Sequence, residues 1–197
     1  MKKSILILML LSIAANAQVK TGLKAGAALT KLGFEKNASG KFEPSYYAGI
    51  FVSYKFNRIE PEFDIVYTQA GDIGMSNLRK TYEEQNVNYK HDYDINMVVE
   101  SLSLKFYINN GFSIKAGGYY GQILSVKQEI SGYGTRNYDL TDYWYKSDAG
   151  VLLGISYNAT KKFSVDARYM YGLSDMSGGT YAVQNRMLNF GASYSFL

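Results

Sequence analysis

Nucleophilic or metal chemistry in this 197-residue chain would have to start from a single histidine, His91, because there is no cysteine. A hydrolase or acyltransferase needs a nucleophile with a base held in hydrogen-bond reach. Here a serine would have to meet His91, which sits in a polar stretch between Tyr89-Lys90 and Asp92-Tyr93. Without thiols there is no disulfide framework, no thiolate metal site and no catalytic cysteine. Asp92, Asp94 and Asn96 are spaced like the opening of a calcium loop, yet the glycine turn and closing glutamate are missing. A solvated acidic stretch accounts for them. Gly117-Gly118-Tyr119-Tyr120-Gly121 lies inside an alternating segment and precedes no helix, so it is no phosphate cradle. The expectation is a protein with no catalytic residue, no metal site and no cofactor, and not an enzyme.

Charged residues follow a pattern of their own. In Phe163-Ser164-Val165-Asp166-Ala167-Arg168-Tyr169-Met170-Tyr171, Ser164, Asp166, Arg168 and Met170 alternate with Phe163, Val165, Ala167, Tyr169 and Tyr171. Strand side chains point to opposite faces with period two, so the segment has one oily and one polar face. Seven more segments obey the rule. Residues 19–31 set Leu23, Ala25, Ala27 and Leu29 against Lys20, Lys24 and Thr30, and residues 45–56 set Tyr46, Ile50, Val52, Tyr54 and Phe56 against Tyr47, Ser53 and Lys55. In residues 59–70, Ile59, Phe63, Ile65 and Tyr67 oppose Glu60, Glu62, Asp64 and Thr68. A fourth segment is marked by Leu102, Leu104, Phe106 and Ile108 opposite Ser101, Ser103, Lys105 and Tyr107. Residues 112–124, 147–157 and 185–196 complete the set, contributing Lys115 and Asp148 to the polar face.

The polar faces thus collect Lys24, Lys55, Lys105, Lys115 and Arg168 against Glu60, Glu62, Asp64, Asp148 and Asp166. An apolar face rimmed by aromatics and a polar face carrying both signs of charge suit a barrel with lipid outside and charges in its lumen. The lumen of an eight-stranded barrel is just wide enough to be filled by side chains. Opposite charges there should pair into a plug, since each would otherwise carry a desolvation cost of several kcal/mol. A selective pore lined by the same residues is the alternative.

The connections support this reading. Asn57-Arg58, Asn109-Asn110-Gly111 and residues 158–162 are tight turns, rich in residues that hairpin geometry prefers. Longer polar stretches at 33–44, 71–96, 125–146 and 175–184 read as loops. Short turns at one end and long loops at the other predict periplasmic turns and termini with extracellular loops. Tyr54, Phe56, Phe63, Phe106, Phe112, Tyr157, Phe163, Tyr194 and Phe196 are expected to form an aromatic girdle near the turns, and Tyr46, Tyr67, Tyr120, Tyr169 and Tyr171 a second one near the loops.

The leader agrees. Lys2 and Lys3 precede an apolar run from Ile5 to Ile13, followed by Ala15-Asn16-Ala17. That run is far shorter than the roughly 20 residues of a spanning helix, so residues 1–17 read as a signal peptide cleaved between Ala17 and Gln18. Residues 18–197 then form one domain. The formal charge of +4 falls to +2 once the two leader lysines are removed, and no basic run argues for nucleic acid.

Four stretches carry a family resemblance: Gly22-Leu23-Lys24-Ala25-Gly26, Ile59-Glu60-Pro61-Glu62, residues 148–154 and residues 165–173. With these the chain resembles the PorT-like outer membrane beta-barrel domain family of Gram-negative bacteria, over essentially its whole mature length. The resemblance implies the eight-stranded antiparallel up-and-down transmembrane β-barrel already read from the alternation, and, as for some members, a link to protein secretion. The expected function is a non-enzymatic, structural or surface-interacting outer-membrane protein, with a small transport barrel for ions or solutes as the alternative. Expected partners are outer-membrane lipids, the barrel assembly machinery through the C-terminal strand, and a surface or envelope protein.

Overall fold

Alternation alone generates the wall. The computed structural model describes residues 19–34, 42–78, 87–131, 135–143, 146–176 and 183–196, so the leader and its junction at Ala17 and Gln18 lie outside the described residues. Among the described residues nine strands follow in order: β1 (Val19–Phe34), β2 (Glu43–Tyr54), β3 (Ile59–Leu78), β4 (Val87–Tyr107), β5 (Phe112–Ser131), β6 (Thr135–Asp139), β7 (Ser147–Asn158), β8 (Phe163–Gly172) and β9 (Val183–Ser195). The sheet runs β4-β3-β2-β1-β9-β8-β7-β5-β6, and β4 also pairs with β5. Eight strands therefore close into an antiparallel barrel, and β6 is a short addition to the far end of β5. Closure leaves no edge in the wall, so each strand finds a hydrogen-bonding neighbour on both sides.

Local chemistry fixes the tight ends. Asn57 takes a left-handed conformation (φ 55°), which asparagine tolerates better than most residues. The Asn109 side chain accepts hydrogen bonds from the Gly111 and Phe112 amides at 3.0 and 2.7 Å. The Thr160 hydroxyl oxygen accepts from Lys162 and Phe163 at 3.2 and 2.9 Å. Each turn thus satisfies backbone donors that the ladder does not reach.

At the other end the structure corrects the sequence expectation. Residues 71–78 and 87–96 continue β3 and β4 as paired strands rather than loop, out to Leu78 opposite Val87. Within 125–146, β5 continues to Ser131 and β6 pairs against it. The reason is a reversal of polarity. Above the lipid-facing belt Ile95, Met97 and Val99 point inward and are buried, while Asp94 and Asn96 point outward. A bulge at Leu124/Ser125 completes the reversal on β5, because the register steps from Met97–Ile123 to Asn96–Ser125 and turns Val126 inward.

Below that level the wall is apolar on its outside, where Leu102 and Leu153 are 62% and 63% exposed. Inward glycines give the large interior side chains their space. A Cβ at Gly191 would lie 2.1 Å from the Tyr47 hydroxyl oxygen, and one at Gly150 would lie 2.7 Å from the Tyr119 ring.

Candidate functional site

The interior has two levels. Nearer the turns, Lys24, Glu60, Glu62, Asp64, Lys105, Lys115, Asp166 and Arg168 are all buried and meet in one network. Lys24 Nζ lies 2.6 Å from Glu62 Oε1 and 2.9 Å from Asp64 Oδ2. Lys105 pairs with Glu62 and lies 3.3 Å from Glu60. Lys115 lies 3.6 Å from Glu62 and 3.3 Å from Asp166. Arg168 Nη1 donates to both Asp64 oxygens at 3.2 Å. Four cations face four carboxylates, so the cluster is neutral as a unit.

Secondary contacts hold these groups in place. Tyr107 and Ser101 hydroxyls donate to Glu60 and Asp64, each at 2.8 Å. The Arg168 guanidinium also stacks 5.1 Å from the Tyr47 ring centroid. Arg168 stands on β8 and Asp64 on β3, half the circumference apart, so this ion pair spans the barrel diameter. Direct cross-strand pairing supplies part of the cluster, as with Glu60 opposite Lys105. The remaining contacts join residues remote in both sequence and register.

Nearer the loop end the filling changes to Ala28, Leu32, Val66, Ala70, Ile95, Met97, Val99, Ile123, Val126, Leu152, Met170, Met176, Val183 and Met187. Asp148 lies here, fully buried, and accepts hydrogen bonds from the Tyr119 hydroxyl at 2.9 Å, the Ser174 hydroxyl at 2.9 Å and the Asn185 amide at 3.2 Å. Asn185 also approaches Met97 Sδ at 3.9 Å, from β9 to β4 across the diameter. Both levels are therefore filled by side chains meeting across the axis.

Two of the expected network members stand apart. Asp148 is on the correct face but too far along the barrel to reach the lysines. Lys55 follows the end of β2 at the turn-end mouth, with Nζ 3.8 Å from the Tyr107 ring centroid. Among the expected girdle residues, Phe106 pairs with Ile59 at the turn end, Phe112 with Tyr157 and Phe163 with Tyr194, and Tyr54, Phe56 and Phe196 lie at the same end. Phe63 does not belong with them: it sits opposite Val52 and Leu102, inside the apolar belt. His91 is a β4 residue opposite Gly74 and Ile130. Asp92, Asp94 and Asn96 follow it in the strand, and Asn96 accepts from Tyr67 at 2.7 Å, so the calcium-loop geometry is absent there. Just beyond β6, Thr141 donates through its hydroxyl and its amide to Asp139, at 2.6 and 3.0 Å, and holds that carboxyl below its usual range.

Sequence reasoning put Tyr47, Tyr107, Tyr119, Ser101 and Met170 on the inner face but did not read an apolar level there, nor Tyr107 and Ser101 as partners of the network. The available signal was the inward parity of Met97, Val99, Leu152 and Met170 once strand phase is carried through.

A family model described as outer membrane protein beta-barrel domain matches residues 14–178. No curated protein sequence matches the chain. Among solved structures, Neisserial surface protein A is similar at 18% identity with a TM-score of 0.54, over 89% of this chain and 97% of that one. Ail, the attachment invasion locus protein of Yersinia pestis, is similar at 18% identity and a TM-score of 0.49, over 90% and 99%. OprG of Pseudomonas aeruginosa gives 9% identity and 0.41, over 91% and 97%.

Proposed function

Because the chain belongs to the outer membrane protein beta-barrel domain family, we propose that it is a closed, non-enzymatic outer-membrane barrel whose loop end faces outward and contacts a surface or envelope partner. The observation that carries this reading is the filled interior. A conduit needs a continuous polar path, whereas here a neutral ion-pair cluster is followed by a packed apolar layer. The β3–β4 hairpin and the β5–β6 pair carry the wall beyond the apolar belt, and all five residues of β6 are exposed. Tyr138 and Tyr143 add exposed, rigid amphipathic contact area there. A secretion-linked envelope protein, as the resemblance to PorT-like barrels implies, is one partner that such a surface would suit. The closing β9–β1 seam is the part of the chain that would engage the assembly machinery.

Orientation is testable with single cysteines, since the chain has none of its own. Asn137→Cys on β6 should react with a membrane-impermeant maleimide on intact cells. Lys161→Cys at a tight turn should react only after the outer membrane is permeabilised. The reverse pattern would overturn the outward placement of the loop end.

A further inference from the structure

At the loop end of the β1–β9 seam, the outward face carries two cations side by side. Lys31 on β1 pairs in register with Arg186 on β9, and Arg186 pairs with Tyr171 on β8. Like charges directly opposite each other destabilise a sheet unless something compensates them. Neither has a carboxylate partner among the described residues. Arg186 donates to the Gly172 and Asn185 carbonyl oxygens at 3.0 and 2.9 Å and to Gln184 Oε1 at 2.8 Å. Its guanidinium stacks 3.5 Å from the Tyr171 ring centroid, while Lys31 Nζ lies 5.9 Å from the Phe42 ring centroid.

The result is an aromatic-cation-cation-aromatic row. Gly33, next along the outward face of β1, has no side chain to fill the space beside Arg186. One register step toward the turns the outward row is Leu29, Leu188 and Tyr169, which is apolar belt. Two cations with no carboxylate partner among the described residues, immediately above an acyl-facing surface, match a lipid with phosphate on its headgroup. We propose that Lys31 and Arg186 bind the phosphate of an outer-leaflet glycolipid, with its acyl chains lying along Leu29, Leu188 and Tyr169.

The proposal rests on the outward placement of the loop end, which cysteine labelling tests separately; retention of lipid by the purified barrel does not depend on it. The mature chain, refolded in detergent, is loaded with diphosphoryl lipid A or with its dephosphorylated counterpart, and bound lipid is counted by native mass spectrometry. Wild type should retain the diphosphoryl form selectively. Lys31→Gln combined with Arg186→Gln should weaken retention about 30-fold, equivalent to about 2 kcal/mol, each cation near the lipid surface contributing about half. Lys161→Gln with Lys162→Gln at the turn end should leave it unchanged. Heat-modifiable gel mobility reports folding of each variant. Should the double variant fail to refold, Lys31→Gln alone, whose ammonium meets the Phe42 ring, should weaken retention about fivefold. Equal retention of the two lipids, equal retention by wild type and variant, or an equal loss in the turn-end control would overturn the site.

Discussion

The two levels of the interior fill the same cylinder by opposite means. Nearer the turns, Glu62 alone is approached by Lys24, Lys105 and Lys115, and stability depends on every member keeping its partners. Nearer the loop end, Leu152, Met97, Met170 and Met187 pack without charge, and Asp148 is held by neutral donors. The difference teaches where each kind of filling fits. Within the lipid-facing belt the outside is already apolar, so alternation assigns polar residues to the inside. Toward the loop end the interior turns apolar, first at Leu152 and Met170 while the outside is still apolar, and then beyond the belt at Ile95 and Met97, where Asp94 and Asn96 take the outside. One barrel is thus inside out over part of its height and conventional over the rest.

The largest expected effect comes from making the same substitution at each level. Asp64→Asn takes a carboxylate from Lys24 and Arg168 and leaves their charges buried, which should cost about 3–5 kcal/mol in urea unfolding from liposomes. Leu152→Ala should cost about 2–4 kcal/mol by the same assay through lost burial and a cavity, whereas its neighbour Leu153→Ala, facing lipid, should cost little. Comparable losses at 152 and 153 would mean that the register of β7 is wrong. The smallest effect is expected at Asp148→Asn. The amide gives up one acceptor but also removes a buried carboxylate that has no cation paired with it among the described residues, so stability should move by only about 1 kcal/mol in either direction. If Asp148→Asn were as damaging as Asp64→Asn, the contrast between the levels would collapse.

Much of this was legible in the sequence. Apolar-polar alternation located all eight wall strands, and parity alone placed Lys24, Glu62, Lys115 and Arg168 on the inner face. Parity cannot supply height. Followed once around the wall from Ser113, the register passes Ser156, Asp166, Gly191, Gly26, Tyr47, Thr68 and Met97 and returns to β5 at Ile123, ten residues further along. That stagger sets the tilt of the strands and decides which inward residues share a level, and it is not encoded in any single segment. It is why Asp148 was expected among the lysines and lies apart from them. The strand extensions at 71–78 and 87–96 were hidden for a different reason: a search for apolar residues facing outward overlooks a sheet whose polarity has reversed.

Conductance tests the central claim of a doubly filled lumen most directly. Refolded mature protein should insert into a planar bilayer without a steady open state, because ions would have to cross both the ion-pair cluster and the apolar layer beyond it. Brief flickering currents agree with rearranging side chains. A stable conductance that also passes sugars would contradict the account and recast Lys24, Lys105, Lys115 and Arg168 as the lining of a pore.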